Sequence, residues 1–254
     1  MSGGRKRVKI NRLSQVYASI LIDAVYQMKN YPITLVSNVI APFSVLVLIL
    51  LVSHGNLLSI SIEGALITSM ISGGVNLQID LSHMKNDFKM QDMLVSSPTS
   101  AFAYMLGMAM AALTNALPAL TVLTVLAILF IHASPVGALT VLGVFALIFA
   151  FAVALGFMLS TFSTDIQQNR AFVSILTVIL ATIAPIYYPI TYIPAQIRGL
   201  AYLSPATYAA EIAQNAIGDL PISTSNLAVD WAVLVAVSCV LFVVVAKKSH
   251  WRDP

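Results

Sequence analysis

Six apolar runs, each near or beyond the length that crosses a lipid bilayer, leave this chain little choice of fold. They are Ile33–Ser53, Ile60–Ile79, Ala101–Ile131, Val136–Phe162, Ala171–Tyr188 and Leu227–Ala246. A helix rises about 1.5 Å per residue, so roughly 20 apolar residues cross about 30 Å of hydrocarbon. Backbone polar groups in lipid must be satisfied within the chain, and no alternating ten-residue segments of a barrel occur, so the runs are expected to be helices. Composition agrees: of 254 residues, 59% are hydrophobic and only 9% charged. Soluble domains carry about 25% charged residues. No charged segment is long enough to build a sizeable water-soluble domain. The third run exceeds the bilayer, and tilt or a break near Pro118 would absorb the excess.

Orientation follows from the thirteen Lys and Arg residues. With six crossings and the N-terminus inside, every one of them except Arg198 falls on the inner side, as the positive-inside rule requires. The net charge of +3 therefore reports topology, and nucleic-acid binding is not expected. Cys239 is the single cysteine, so no intrachain disulfide forms. The basic start MSGGRKRVKINR is not followed by a short apolar core with a small-residue cleavage site, which argues against a cleaved signal peptide.

Residues 2–9 read as a basic tail. Ile10, Leu13, Tyr17, Ile20, Leu21, Ala24 and Met28 then recur at helical spacing, with Arg12, Gln15, Ser19, Asp23 and Gln27 on other faces. This amphipathic helix over 10–30 suits the membrane interface, or packing against the chain's own membrane domain. The stretch from Tyr188 to Ile217 is apolar enough for a seventh crossing. Pro189, Pro194 and Pro205 would each remove a helical hydrogen bond, and a crossing would carry Lys247, Lys248 and Arg252 outside. Two half-helices that enter the outer face and return fit better. Such backbone is tolerated only when buried in protein or lining a wet cavity.

The chemistry-bearing motifs are mostly missing. No GxxxxGK[ST] loop is present to cradle ATP phosphates, and no HExxH, paired CxxC or GxSxG occurs. His54, His83, His132 and His250 stand in separate connections. Catalysis by this polypeptide and a bound metal are not expected. Glu63, Asp80, Asp165 and Arg170 lie near ends of runs and read as water-facing helix ends. Asn76, Gln78 and Asn115 are deep but do not titrate, which weighs against an ion-coupled carrier. The second and fifth runs carry small and hydroxyl residues. Among these, Ser72, Asn76, Ser174 and Thr177 are candidates for a translocation path, while small residues equally permit close helix packing.

The one charged interruption between two long runs, Leu81 to Gly107, contains DMLVSSPTSAFAYMLG. This resembles the ABC-2 type permease pattern: an acidic residue, Asp92; apolar Met93 to Val95; Ser97-Pro98; and Gly107 nine residues later. Tyr188-Pro189, Pro194, Leu203-Ser204-Pro205, Tyr208 and Glu211 resemble the same family's proline-punctuated re-entrant helices. Two departures stand out. Lys89-Met90-Gln91 replace a usual Gly-Thr, and Gln214 stands where arginine is common.

The resemblance covers essentially the whole chain and implies one all-α integral membrane domain over 1–254. It would have an N-terminal interfacial helix and six transmembrane helices, with a cytoplasmic coupling segment at 82–98 between spans two and three. Re-entrant half-helices would occupy 189–217, between spans five and six. It further implies the permease subunit of an ABC exporter in the cell (cytoplasmic or inner) membrane, with both termini cytoplasmic. Two copies of a separate ABC ATPase subunit would carry ATP and magnesium, and this chain would bind no cofactor itself. A second permease copy or a sister permease, and membrane lipids, would complete the assembly. Phe88, Met93 and Leu94 would anchor the coupling segment in the ATPase, with Lys89, Gln91, Asp92 and Pro98 setting its orientation and partner choice. Pro189, Pro194, Pro205, Tyr208 and Glu211 would form an outer gate. A carrier, ion-coupled or passive, without an ATPase is the alternative.

Overall fold

A backbone in lipid has to satisfy its own hydrogen bonds, and a helix does this within one segment. The computed structural model describes residues 12–30, 32–86, 101–162 and 166–248, and every regular element among them is helical. The order is α1 (Arg12–Ser19), a π-helical turn (Ile20–Val25), α2 (Tyr26–Asn30), α3 (Pro32–Val52), α4 (Leu58–Asn86), α5 (Ala101–Phe130), α6 (Pro135–Phe162) and α7 (Ile166–Ile183). A 3₁₀ turn (Ile190–Tyr192), α8 (Arg198–Ala201), α9 (Pro205–Ala216) and α10 (Thr224–Lys248) follow.

Helices occupy all six apolar runs. Among the described residues, four of them, α4, α5, α6 and α10, are long and apolar enough to cross a membrane. The apolar stretches of α3 and α7 are shorter, Val36–Val52 and Ala171–Leu180.

Helix α4 is the hub. It packs most extensively on α6 and also touches α5, α7, α3 and α9. Within the chain, 67% of its spanning window is buried, against 22% for both α5 and α10. This explains why the least apolar span is the central one: a helix covered by protein need not be lipophilic all round. The peripheral helices instead turn large apolar side chains outward, among them Val125, Ile128 and Leu129 of α5 and Val240 and Val243 of α10.

Glycines set how closely the helices approach. A Cβ on Gly74 of α4 would stand 2.5 Å from Ala152 Cβ and 2.8 Å from Val153 N, and one on Gly156 would stand 2.7 Å from the Gly74 carbonyl oxygen. The α4–α6 crossing is therefore backbone against backbone. Gly73 faces the other neighbour, with Ala116 of α5 at 3.2 Å. These two glycines serve helix packing, one of the two roles their composition allowed.

Three sequence expectations are corrected. Helix α5 runs through Pro118 without a break; at about 1.5 Å per residue its 30 residues span about 45 Å, which leaves tilt as the way to absorb the excess. The fifth run leaves helical geometry at Ala184 instead of Tyr188, because Pro185 disfavours the helical conformation in the residue before it. Glu63 does not face water: it is 2% exposed, in the wall of the core.

The first helix forms as expected, with a π-helical turn at its centre. It packs on the start of α5, where a Cβ on Gly107 would come within 2.7 Å of Ser19 Oγ. Ala24 is fully buried while Tyr17 and Tyr26 stay exposed. Gly107, the glycine that closes the family-like pattern, thus has a physical role as the seat of this helix. The tail 1–9, Ile10 and Asp165 lie outside the described residues. So do the coupling residues Phe88, Lys89, Gln91, Asp92, Met93, Leu94 and Pro98; α4 itself continues to Asn86.

Candidate functional site

Proline placement shapes the segment between α7 and α10. After Pro185 ends α7, the chain from Ala184 to Pro189 is non-helical, and Pro185, Ile186, Tyr187 and Pro189 are buried. Buried irregular backbone needs partners. The Pro185 carbonyl accepts a hydrogen bond at 3.3 Å from Nε2 of Gln214, itself 1% exposed on α9. The residue that departs from the family-like pattern therefore supplies the amide donor this turn needs. Gly64 of α4 admits the turn: a Cβ there would lie 2.6 Å from the Ile186 carbonyl oxygen.

Pro194 is exposed, and its carbonyl accepts from the backbone N–H groups of Ile197 and Arg198, starting the single turn α8. Pro205 occupies the first turn of α9, where its missing N–H costs nothing. Thr207 donates its hydroxyl to the Ala201 carbonyl and ties α9 back to α8. At the far end, Gly137 of α6 receives the Ala216 carbonyl; a Cβ there would be 2.3 Å from it. The Ser59 hydroxyl of α4 donates to Asp219, pinning the turn after α9. With 12 residues, or about 18 Å at 1.5 Å each, α9 is too short to cross. The stretch forms two short helices, α8 and α9, and Pro205 is the first residue of the second.

These elements and the start of α10 enclose a cleft of about 490 Å³ lined by Tyr202, Tyr208, Glu211, Ser223, Asn226 and Asp230, with apolar walls from Ile190, Leu220, Ile222 and Val229. Two carboxylates face it. Glu211 is 5% exposed and Asp230 4%. Glu211 Oε1 accepts from the Tyr202 hydroxyl at 3.1 Å, whereas Asp230 Oδ2 is enclosed with no hydrogen-bond partner. The Tyr208 hydroxyl donates to the Tyr202 carbonyl at 3.0 Å, and the two rings lie 5.6 Å apart, tilted by 50°. Arg198 turns its guanidinium to the carbonyls of Ile193 (3.1 Å) and Thr191 (3.4 Å).

Burial, and then the neighbouring Asp230 charge, raise the Glu211 carboxyl from its ordinary 4.5 to about 7, against the opposing Tyr202 hydrogen bond and Arg198 charge. A carboxyl with a raised native pKa holds more protons folded than unfolded, so stability falls as pH rises from about 4.5 to 7. Thermal melting at a series of pH values is expected to show that decline, and Glu211→Gln is expected to flatten it; an equally steep decline in the variant would contradict the assignment.

Of the residues the sequence singled out, Tyr208 and Glu211 meet in this cleft, while Pro189, Pro194 and Pro205 shape the segment around it. Ser72, Asn76, Ser174 and Thr177 do not line it. Asn76 and Ser174 are exposed on α4 and α7, which pack against each other, and Ser72 and Thr177 are half-buried there. Sequence reasoning missed Tyr202 and Asp230. The signal for Asp230 was available: it is the one acidic residue inside the last apolar run, and ionisable residues in such runs are rare and functional by default. Among the described residues, no group of three or more His, Cys, Asp or Glu stands close enough to hold a metal ion.

A bundle that is helical throughout its regular elements among the described residues, with four helices apolar and long enough to span a bilayer, defines a multi-helix membrane protein. Within that class, the chain belongs to the ABC-2 type transporter family, whose model matches residues 15–217, from the first helix through α9. No curated protein matches the sequence. Membership makes the chain a membrane-embedded component of an ABC transporter, a part that moves substrate rather than one that catalyses a reaction. Permeases of this family usually work with an ABC ATPase.

Proposed function

We propose that this chain is the permease subunit of an ATP-driven exporter in the cell membrane. It would move an amphiphilic, lipid-like, drug or glycoconjugate substrate out of the cytoplasm or the inner leaflet. The observation that carries the reading is the family match from the first helix to the outer element, in a sequence with no phosphate-binding loop of its own. In this reading the energy arrives from a partner ATPase, which binds the ATP and magnesium.

In this reading all six apolar helices cross the membrane, with both termini cytoplasmic, and the first helix lies at the inner interface beside α5. The segment 82–98, continuous with α4, carries motion from the ATPase into the hub helix. Helix α4 touches most of the other membrane helices and α9, so its displacement reaches the outer gate as rigid-body motion. Two permeases, identical or sister, would pair with two ATPase subunits.

The test is co-purification: a tagged chain expressed with the P-loop ATPase subunit from its own gene neighbourhood. Recovery of a stable complex is expected, and recovery of the permease free of ATPase under mild detergent would contradict the reading.

One observation favours the alternative of an ion-coupled carrier. Both carboxylate oxygens of Glu63 are buried without a hydrogen-bond partner, at the kind of site where carriers bind a coupling ion. Substrate movement driven by a proton or sodium gradient with no nucleotide would select that reading.

A further inference from the structure

We propose that the outer cleft is a binding site for an organic cation, an ammonium held between Glu211 and Asp230 and walled by Tyr202 and Tyr208. Its place in transport rests on the exporter reading; the binding itself does not.

A carboxylate taken out of water without a partner costs several kcal/mol unless a positive charge or hydrogen bonds replace the solvent. Asp230 is 4% exposed, lines the cleft and keeps Oδ2 unpartnered. Glu211 is 5% exposed and accepts a hydrogen bond from a neutral phenol, Tyr202. The nearest cation, Arg198, is directed to two backbone carbonyls and does not line the cleft. Above about pH 7, where Glu211 is ionised, two carboxylates against one guanidinium leave the site with a negative charge facing the space between α9 and α10.

A cleft of about 490 Å³ falls in the range of about 300–1,000 Å³ of small-molecule pockets, far larger than a bare metal ion fills. Its donor set also lacks the third acidic, His or Cys ligand that would define a metal centre among the described residues. Half of the wall is apolar, supplied by Ile190, Leu220, Ile222 and Val229, which suits the alkyl groups of a substituted ammonium.

Tyr202 and Tyr208 stand with ring centroids 5.6 Å apart, and both are held in place, one through Glu211 and the other through the Tyr202 carbonyl. Fixed aromatic faces beside carboxylates attract a cation through the ring quadrupole, most strongly where water is excluded. The cleft's remaining polar side chains, Thr191, Ser223 and Asn226, are neutral, so nothing in the lining repels a positive ligand.

The experiment uses the full chain in nanodiscs of neutral phosphatidylcholine, without ATPase or nucleotide, so failure of the exporter reading leaves it untouched. Radiolabelled tetraethylammonium is the probe, read by scintillation proximity against matched ionic strength in sodium chloride. Saturable binding is expected, weakened at least tenfold by Asp230→Asn and likewise by Glu211→Gln. Both substitutions are close to isosteric and remove a buried charge, so melting is expected at or above the wild-type temperature. Tyr208→Leu is expected to weaken binding while leaving both carboxylates in place. Absence of saturable binding, or equal binding in Asp230→Asn and Glu211→Gln, would overturn the proposal. Should Asp230→Asn not fold, Glu211→Gln and Tyr208→Leu decide the question in the same way.

Discussion

Replacing Gly74 with leucine is expected to abolish recovery of folded protein. At this position α4 and α6 meet backbone to backbone: even a single Cβ would stand 2.5 Å from Ala152 Cβ and 2.8 Å from Val153 N. Neither atom can rotate aside as the tip of a long side chain would. The reciprocal contact is equally closed, with a Cβ on Gly156 falling 2.7 Å from the Gly74 carbonyl oxygen. Relief requires the two helices to move apart, and α4–α6 is the most extensive helix pair in the chain. Overpacking a close-packed interior costs about 1–3 kcal/mol and occasionally more, against a total stability of about 5–15 kcal/mol. A leucine that separates two hub helices lies at the upper end or beyond.

Size-exclusion and thermal melting in detergent provide the measurement. Gly199→Leu is the control, because a Cβ there meets nothing within 4 Å, and surface changes of this kind usually stay within about 0.5 kcal/mol. Equal melting temperatures for the two variants would mean that the α4–α6 crossing is not as close as described.

Much of the architecture was legible in the sequence, and for a simple reason. Lipid permits few backbone conformations, so an apolar run of sufficient length already specifies a helix. The interruption after α7 was legible too, because Pro189, Pro194 and Pro205 disfavour one continuous helix, and the stretch breaks into a 3₁₀ turn, α8 and α9. The errors share a cause as well. Pro185 ended α7 early, yet it sits in a run whose apolar character masked it. Pro118 was weighed as a break, while α5 continues through it; a proline lowers helix stability but neighbouring spans can hold the helix together.

Tertiary facts were the least legible. Position near the end of a run made Glu63 look water-facing, because sequence does not reveal that the turn around Ile186 and α9 pack against the N-terminal part of α4. Asp230 and Glu211 are nineteen residues apart, and nothing local announces that α9 and α10 bring them to one cleft. The glycines of α4 could equally have lined a polar path or packed. Only their neighbours, Ala116 for Gly73 and Ala152 for Gly74, decide for packing.

The second large effect is expected at the coupling segment, in the double substitution Asp92→Arg with Phe88→Ala. Phe88 is expected to be an apolar anchor in the ATPase, and buried aromatic anchors dominate interface energetics, commonly at 2 kcal/mol or more each on truncation. Reversing the charge at Asp92 adds a like-charge or unpaired-charge penalty to any partner shaped for a carboxylate. Together these amount to about 4 kcal/mol or more by those magnitudes, a factor approaching a thousand in affinity. Both substitutions lie outside the helices that build the bundle and the cleft, so the variant is expected to fold, melt as wild type and keep any ligand binding at the cleft. Loss of coupling with retention of fold separates a handle from a structural loop.

The central claim is that ATP hydrolysed on a partner drives this permease through that segment. Its most direct measurement is ATP-dependent transport of a fluorescent amphiphile into inverted vesicles containing permease and ATPase, comparing wild type with the double variant. The account predicts accumulation that requires ATP in the wild type and falls to the no-ATP baseline in the variant. Undiminished ATP-driven transport by the variant, or wild-type transport that proceeds without nucleotide, would contradict it.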